Sequence, residues 1–279
     1  MRVVCNLFAA LILMAVYCQL QAFDNFKSVP GGIAGILLDE SDTPLVATFG
    51  DTRMPIIPLQ GQQVALVPLP WDIVPGFYIL STLSEDNDFR SYTFSVKPGG
   101  RPLYPVNLGN REDGPEIPEP IEMDQDLSQS DGEVSNPDLS LVLPVDAPVA
   151  RQYGALYVQP PGQTLPHTGI RFEINAADTA VVNPVFGQVV MIEPVDDQLY
   201  SVVIDHGNGL ISVFSELGSV TANAEDWLQK GGTIGTISKS AATSLQPHWS
   251  LQMNGVWIDP MLLVSSQPRL VGQESDPNQ

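Results

Sequence analysis

The chain has 279 residues, with 12 Lys and Arg against 32 Asp and Glu and a formal net charge of −20. So acidic a chain is a poor partner for the phosphate backbone of nucleic acids or for an anionic membrane surface, and the charge suits a soluble exported protein. The length is sufficient for two hydrophobic cores.

Residues 1–22 predict a cleaved secretory signal, because Arg2 is their only charge and an apolar run covers residues 7–17. A transmembrane anchor is the weaker alternative because the run is short, and a lipoprotein anchored through Cys18 would need a smaller preceding residue. Both cysteines, Cys5 and Cys18, lie in this segment. The mature protein would therefore have no membrane span, no disulfide and no Cys-based zinc site.

Residues 27–108 predict a small antiparallel β-sandwich. Apolar runs recur between Gly and Pro without a helical period, and residues 91–96 alternate polar and apolar as a half-buried strand does. No His, Cys or acidic cluster marks a chemical site here, so packing or docking is the expected role. The strands are expected in Ile33–Leu38, Val64–Leu69, Phe77–Leu83 and Tyr92–Val96.

Residues 109–138 predict a linker rich in Pro and acid. The stretch 111–138 holds ten acids and one base, Arg111, and it has too few apolar residues to fold alone. A docking strip is the alternative interpretation of this acidic run. At the other end of the chain, residues 266–279 predict a disordered tail.

Residues 139–265 predict a second all-β domain. Gly207-Asn208-Gly209 predicts a tight hairpin turn, because Gly and Asn tolerate positive φ. One short helix is expected at residues 224–230. Strands are expected near Ala180–Pro184, Gly187–Glu193, Tyr200–His206, Gly209–Ser215 and Thr233–Ile237.

Three histidines fall in this second region, in the patches Pro166–Arg171, Ile204–Gly209 and Gln246–Trp249. A glycine turn follows at Lys230–Gly235, and Asn254–Pro260 closes the pattern. In this order the motifs resemble the lysostaphin/LytM family of zinc peptidoglycan endopeptidases, and residues 27–108 resemble the β-domain that precedes the peptidase domain in Gram-negative members. The resemblance implies a second domain built as an antiparallel β-sheet with a substrate groove.

The resemblance implies that His167 and His248 hold two of the three zinc-ligand positions. The remaining position falls on Arg171, whose guanidinium has no lone pair to offer a metal. His248 is placed on the last ligand because of its spacing to Asn254. Placing it on the first histidine of the family's His-x-His pair would instead need a deletion within a strand.

The two family histidines that assist catalysis fall on Glu216 and Gln246. An ionised Glu cannot donate a hydrogen bond to an oxyanion, and Gln cannot act as an acid or base. A rebuilt zinc site could use His167 and His248 with Glu173 or Glu216, since His₂Glu is a known zinc set. The favoured alternative is that Arg171 fills the metal position and pairs with Glu216 or Glu173.

His206 and Trp249 are expected to have structural rather than chemical roles. His206 matches a hairpin histidine of the family that is not a ligand, so a structural role is expected. Trp249 is expected to pack in the core or in the groove wall.

The favoured function is therefore a non-catalytic exported member, in the periplasm or envelope of a Gram-negative cell or secreted. It would bind peptidoglycan or a cell-wall hydrolase through the vestigial groove, with no cofactor. Two alternatives stay open: a zinc endopeptidase that cleaves peptidoglycan cross-links with a rearranged metal site, and a structural protein of envelope assembly.

Overall fold

The computed structural model describes residues 26–39, 44–59, 61–84, 86–99, 139–159, 163–174, 176, 178–195, 198–237 and 247–264. The predicted signal (1–22), linker (109–138) and tail (266–279), together with Gln246, lie outside the described residues. Within those described ranges, no helix is long and apolar enough to cross a membrane.

The N-terminal module is a sandwich of two antiparallel sheets, as the sequence predicts. The order in one sheet is β1-β5-β4 and in the other β3-β2-β6-β7. Apolar side chains from both sheets meet between them, including Ile36, Val67 and Leu80. The strands are β1 (Ile33–Leu37), β2 (Pro44–Phe49), β3 (Thr52–Met54), β4 (Ile56–Leu59), β5 (Gln62–Pro68), β6 (Gly76–Ser84) and β7 (Phe89–Val96).

Strand β5 is apolar on both faces, which places its sheet in the middle of three layers. Ala65 and Val67 face the sandwich core, whereas Val64 and Leu66 pack in the cluster that forms the core of the second module. Successive strand residues point to opposite faces, so this continuous apolar run is typical of a sheet covered on both sides. The two modules are therefore in direct contact.

The second module is built around a sheet in the order β17-β13-β14-β15-β19-β11-β8, with β20 paired to β19. A smaller sheet has the order β12-β18-β16, and β9 pairs with β10. The strands are β8 (Val149–Arg151), β9 (Leu156–Gln159), β10 (Gln163–Pro166), β11 (Gly169–Phe172), β12 (Thr179–Val182), β13 (Gly187–Pro194), β14 (Tyr200–Asp205), β15 (Leu210–Leu217), β16 (Ser219–Val220), β17 (Trp227–Leu228), β18 (Thr233–Ile237), β19 (His248–Met253) and β20 (Val256–Ile258), followed by a 3-10 turn at Pro260–Leu262.

The two faces of the central strands have different neighbours. Phe214 and Trp249 point into the main core. Val213 lies opposite Ser250, and His248 lies opposite both Ser215 and Arg171, so by alternation these side chains share the other face. We call this second face of β11, β15 and β19 the site face.

The expected helix at residues 224–230 is wrong. The backbone turns at residues 224–225 and then forms β17, in which Trp227 lies opposite Gln188 of β13. An Asp226 carboxylate oxygen accepts the Asn223 backbone N–H at 2.7 Å and fixes this turn. Tertiary pairing with the sheet edge thus overrides a short helical pattern.

The predicted hairpin turn at Gly207-Asn208-Gly209 is confirmed. Its residues have φ of 80°, 52° and 74°, and the turn joins the paired strands β14 and β15. Glycine tolerates these angles without strain, and Asn tolerates them better than most residues.

Candidate functional site

Four polar side chains converge at one end of the site face. His167 precedes β11, Arg171 lies within it, and His248 begins β19 directly opposite Arg171. Glu216 follows Ser215, which lies opposite His248 from the other side. The His167 and His248 rings are in edge contact, with centroids 4.6 Å apart at 72°. The structure therefore brings together the two predicted ligand histidines, Arg171 and Glu216.

Gly169 allows this close approach. A Cβ atom at this position would lie 2.3 Å from the Trp249 carbonyl oxygen and 2.6 Å from His248 Nε2. Real Cβ atoms do not approach other atoms so closely, so a larger residue would push β11 away from β19. The glycine of the first histidine patch thus sets the spacing on which the cluster depends.

Both ring nitrogens of His167 are engaged in hydrogen bonds. Arg171 Nε lies 3.3 Å from His167 Nε2, and because a guanidinium only donates, Nε2 must accept. His167 Nδ1 lies 2.9 Å from the Gly169 carbonyl oxygen, so it must carry the proton. This neutral tautomer leaves no ring lone pair for a metal while Arg171 stays in place.

Arg171 also forms a buried ion pair with Glu216. Its Nη1 lies 3.0 Å from Glu216 Oε1, and the two side chains are 4% and 17% exposed. The second carboxylate oxygen, Oε2, is buried and has no hydrogen-bond partner among the described residues. Of the two partners left open for Arg171, Glu216 and Glu173, the structure pairs it with Glu216.

Glu216 has an uncommon backbone conformation, with a φ of 66° inside a strand. Tyr200 pairs with Leu217 and Val202 pairs with Phe214, so Ser201 faces both Ser215 and Glu216 in a β-bulge. Such a conformation costs about 1–3 kcal/mol for a residue other than Gly, and a bulge re-aims the side chain that it carries. The bulge brings the Glu216 carboxylate to the face on which Arg171 lies.

Burial keeps the two histidines of the site neutral. The pKa of His167 is lowered to about 3, mainly by desolvation and with smaller contributions from the Arg171 and Arg151 charges. Desolvation likewise lowers the pKa of His248 well below its ordinary value, with contributions from His167, Arg171 and Arg151. At neutral pH the cluster is one ion pair beside two uncharged imidazoles.

The donor set, as arranged, does not fit a zinc ion. No group of three or more His, Cys, Asp or Glu side chains within the described ranges could hold a metal. A catalytic zinc site normally has three protein ligands and an open position for water. Here a permanently protonated guanidinium lies between two of the candidate ligands.

Two other predicted site residues, Glu173 and Gln246, are not part of this cluster as the structure describes it. Glu173 follows the end of β11, and its backbone N–H donates to the Pro148 carbonyl oxygen at 2.8 Å. Gln246 is not among the described residues.

Ser250 belongs to the cluster although it was not predicted from the sequence. Its Oγ lies 3.2 Å from His248 Nε2. Its position two residues after His248 in a strand could have indicated this, because residues i and i+2 share a face.

His206 and Trp249 lie on the core side of the sheet in a separate hydrogen-bond chain. The Trp249 indole donates to Ser212 Oγ at 3.1 Å. Ser212 Oγ lies 2.8 Å from His206 Nε2, and His206 Nδ1 lies 3.1 Å from the Phe186 carbonyl oxygen. Since that oxygen only accepts, Nδ1 donates and Nε2 accepts from Ser212. Burial lowers the pKa of His206 to about 4, so this imidazole is also neutral.

The residues of the cluster lie within the part of the chain that matches a known family. Residues 165–260 match the family model described as Peptidase family M23. No curated protein matches the chain. Among solved structures, a candidate M23 peptidase from Pseudomonas aeruginosa is similar at 24% identity and a TM-score of 0.62, over 87% of this chain and 97% of that chain. That likeness spans both modules and shows the fold alone.

Two further solved structures match less of the fold. One is the SpoIIQ–SpoIIIAH pore-forming complex, with 20% identity, a TM-score of 0.39, and coverage of 46% of this chain and 92% of that chain. The other is a zinc-containing peptidase from Vibrio cholerae, with 14% identity, a TM-score of 0.39, and coverage of 68% of this chain and 47% of that chain.

Proposed function

We propose that this chain is an exported, non-catalytic member of the LytM-type M23 peptidases, because residues 165–260 match the model of Peptidase family M23. It binds peptidoglycan or regulates a cell-wall hydrolase through the site face, in the periplasm or envelope. The family is normally zinc-dependent, so the proposal depends on what has become of the metal position.

The observation that carries the proposal is the placement of Arg171. Its guanidinium donates to His167 Nε2 and to Glu216 Oε1, so it uses one ligand's lone pair and adds a positive charge where the family holds a cation. Arginine stays protonated at any physiological pH. Zinc binding would require Arg171 to leave both partners.

The chemistry of the assisting positions supports the same conclusion. An oxyanion needs hydrogen-bond donors aimed at it, whereas Glu216 is an acceptor whose Oε1 already pairs with Arg171. A carboxylate at this position would repel the developing negative charge. In this proposal the ion pair joins β11 to β15 without supplying catalysis.

One observation favours a second candidate, a zinc endopeptidase with a rearranged site. Glu216 Oε2 is buried without a partner among the described residues, and a buried carboxylate oxygen is a legal zinc ligand. Together with His167 and His248 it would form a His₂Glu set. This candidate requires Arg171 to swing away, which would break the buried ion pair.

The test is sedimentation of the purified mature protein with peptidoglycan sacculi, in the presence and absence of a chelator. We expect binding that the chelator does not weaken, with no release of peptide fragments. Ser215→Trp would fill the site face beside His248 and should abolish binding, whereas Gln229→Trp, at an exposed position after β17, should leave it unchanged. Circular dichroism would verify that both variants fold.

Chelator-sensitive release of peptide fragments would contradict the non-catalytic proposal and favour the zinc endopeptidase. If sacculi are not bound, the proposed regulation of a cell-wall hydrolase is tested by assaying a purified peptidoglycan amidase with and without this protein. If the protein neither binds peptidoglycan nor changes hydrolase activity, the proposal is contradicted and a structural role in envelope assembly is favoured.

A further inference from the structure

Strand β6 carries large apolar side chains on both of its faces. Tyr78 and Leu80 point into the sandwich core, whereas Phe77 and Ile79 point outward and are 82% and 58% exposed. A sheet with one face in water normally alternates apolar and polar residues. The outward apolar residues of β6 therefore require an explanation other than packing among the residues that the structure describes.

Strand β7 extends this apolar surface and adds hydroxyl groups to it. Phe89, which is 73% exposed, lies opposite Leu83 at one end of the β6–β7 pair, and Phe77 lies opposite Ser95 at the other. Between these ends, serine and threonine side chains line the same face by register. We call this surface the outer face; it consists of Phe77, Ile79, Ser81, Leu83, Phe89, Ser91, Thr93 and Ser95, with Thr48 beside Ser81.

The outer face is almost uncharged, although the chain has a net charge of −20. Of the charged side chains that the structure describes, the paired register places Arg53 on this face, on the far strand β3, and the exposed Lys97 follows the end of β7. A partner recognised through ion pairs would need charges that this face lacks. The fitting partner is electrically neutral and presents both apolar surface and hydroxyl or amide groups.

The edge of β7 is partly occupied, which disfavours addition of a further strand. Ser28 Oγ donates to the Ser95 carbonyl oxygen at 2.5 Å, and the Lys97 backbone N–H donates to the Ser28 carbonyl oxygen at 2.8 Å. The Asp39 backbone N–H donates to the Tyr92 hydroxyl at 3.2 Å. A second copy or an extended peptide pairing at this edge would compete with these contacts, so recognition falls to the face itself.

We propose that the outer face binds a neutral polysaccharide strand, the glycan of peptidoglycan. The apolar faces of sugar rings pack on Phe77 and Phe89 at its two ends, and the hydroxyls of Ser81 and Ser91 exchange hydrogen bonds with the sugars between them. The N-terminal module thereby anchors the chain on the glycan. This inference rests on the proposed function, because peptidoglycan supplies the glycan.

The test uses two insoluble probes, peptidoglycan sacculi and chitin, which is a neutral N-acetylglucosamine polymer without peptides. The double variant Phe77→Ser/Phe89→Ser removes both rings at exposed positions, so folding should be retained. Val195→Ser, at a residue 56% exposed in the other module, is the matched control. We expect the mature protein to sediment with chitin and the double variant to bind about tenfold or more weakly, with the control unchanged.

The outcomes separate this inference from the proposed function. Binding to sacculi that persists without binding to chitin, and that the double variant does not weaken, would overturn the glycan site and leave the proposed function standing. If analytical ultracentrifugation shows that the wild-type chain self-associates and the double variant does not, the outer face would be assigned to a second copy instead. A protein that binds neither probe contradicts both the proposed binding to peptidoglycan and the glycan site.

Discussion

The two faces of the central sheet each bury neutral histidine, but their hydrogen bonding differs. On the core side, the Trp249 indole donates to Ser212 Oγ, Ser212 donates to His206 Nε2, and His206 donates to the Phe186 carbonyl oxygen. On the site face, Arg171 and Glu216 form an ion pair, Glu216 has a strained backbone, and its Oε2 has no partner among the described residues. The first arrangement is typical of a structural network, whereas the second combines backbone strain with a buried charge pair beside two histidines.

The largest expected effect comes from breaking the ion pair on the site face. Glu216→Ala would leave the Arg171 charge buried and unpaired, which should lower the free energy of unfolding by about 3–5 kcal/mol. Replacing both partners, as Arg171→Met with Glu216→Leu, should recover most of that loss because no buried charge remains. Urea denaturation measures both variants, and equal destabilisation of the single and double variants would show that the pair is not effectively buried.

On the core side, Ser212→Ala should have the next largest effect. It removes the partner of both the Trp249 indole and His206 Nε2, and each buried group left unsatisfied costs about 1–3 kcal/mol. The matched control is Ser201→Ala, which removes a half-buried hydroxyl pair with Ser215 on the site face and should cost less. A smaller loss for Ser212→Ala than for Ser201→Ala would reverse the comparison between the two faces.

The pH dependence of stability tests the neutrality of His206. Burial lowers its pKa to about 4 from 6.5, so below pH 6.5 the unfolded chain binds a proton that the folded chain does not. Stability from this histidine is therefore intact above pH 6.5 and declines as the pH falls, by about 2 kcal/mol between pH 6.5 and 5.

Denaturation curves across that pH range measure the slope, and His206→Asn should flatten it by about one proton. Burial raises the pKa of Asp205, which acts in the opposite direction, so the comparison is made between the wild-type chain and the His206→Asn variant, which both retain Asp205. An unchanged slope in the variant would show that His206 is not the group that titrates.

Much of the fold follows from local pattern. The apolar runs that predicted strands correspond to β1, β5, β6 and β7 in the first module, because alternation and bounding Gly and Pro are local signals. The helix expected at residues 224–230 failed, since the pairing of Trp227 with Gln188 is a long-range contact that no local pattern encodes. The short strands β3, β8 and β16 gave no pattern for the same reason.

The site was predictable in its membership but not in its details. The resemblance to the LytM family indicated that His167, Arg171, Glu216 and His248 would meet, and it left the partner of Arg171 open between two acids. The bulge opposite Ser201 decides for Glu216 because it re-aims that side chain, and a bulge depends on register between distant strands. The outer face was missed for a related reason, since the sequence does not reveal which side of β6 the other sheet of the sandwich covers.

The most direct test of the central claim is the zinc content of the purified mature protein, by elemental analysis after dialysis against trace zinc. Because Arg171 engages His167 and Glu216, the wild-type chain should hold essentially no zinc, and Arg171→Asp should bind about one per chain by supplying the third ligand. About one zinc per wild-type chain, lost in His167→Ala or His248→Ala, would contradict the account and favour a working zinc endopeptidase.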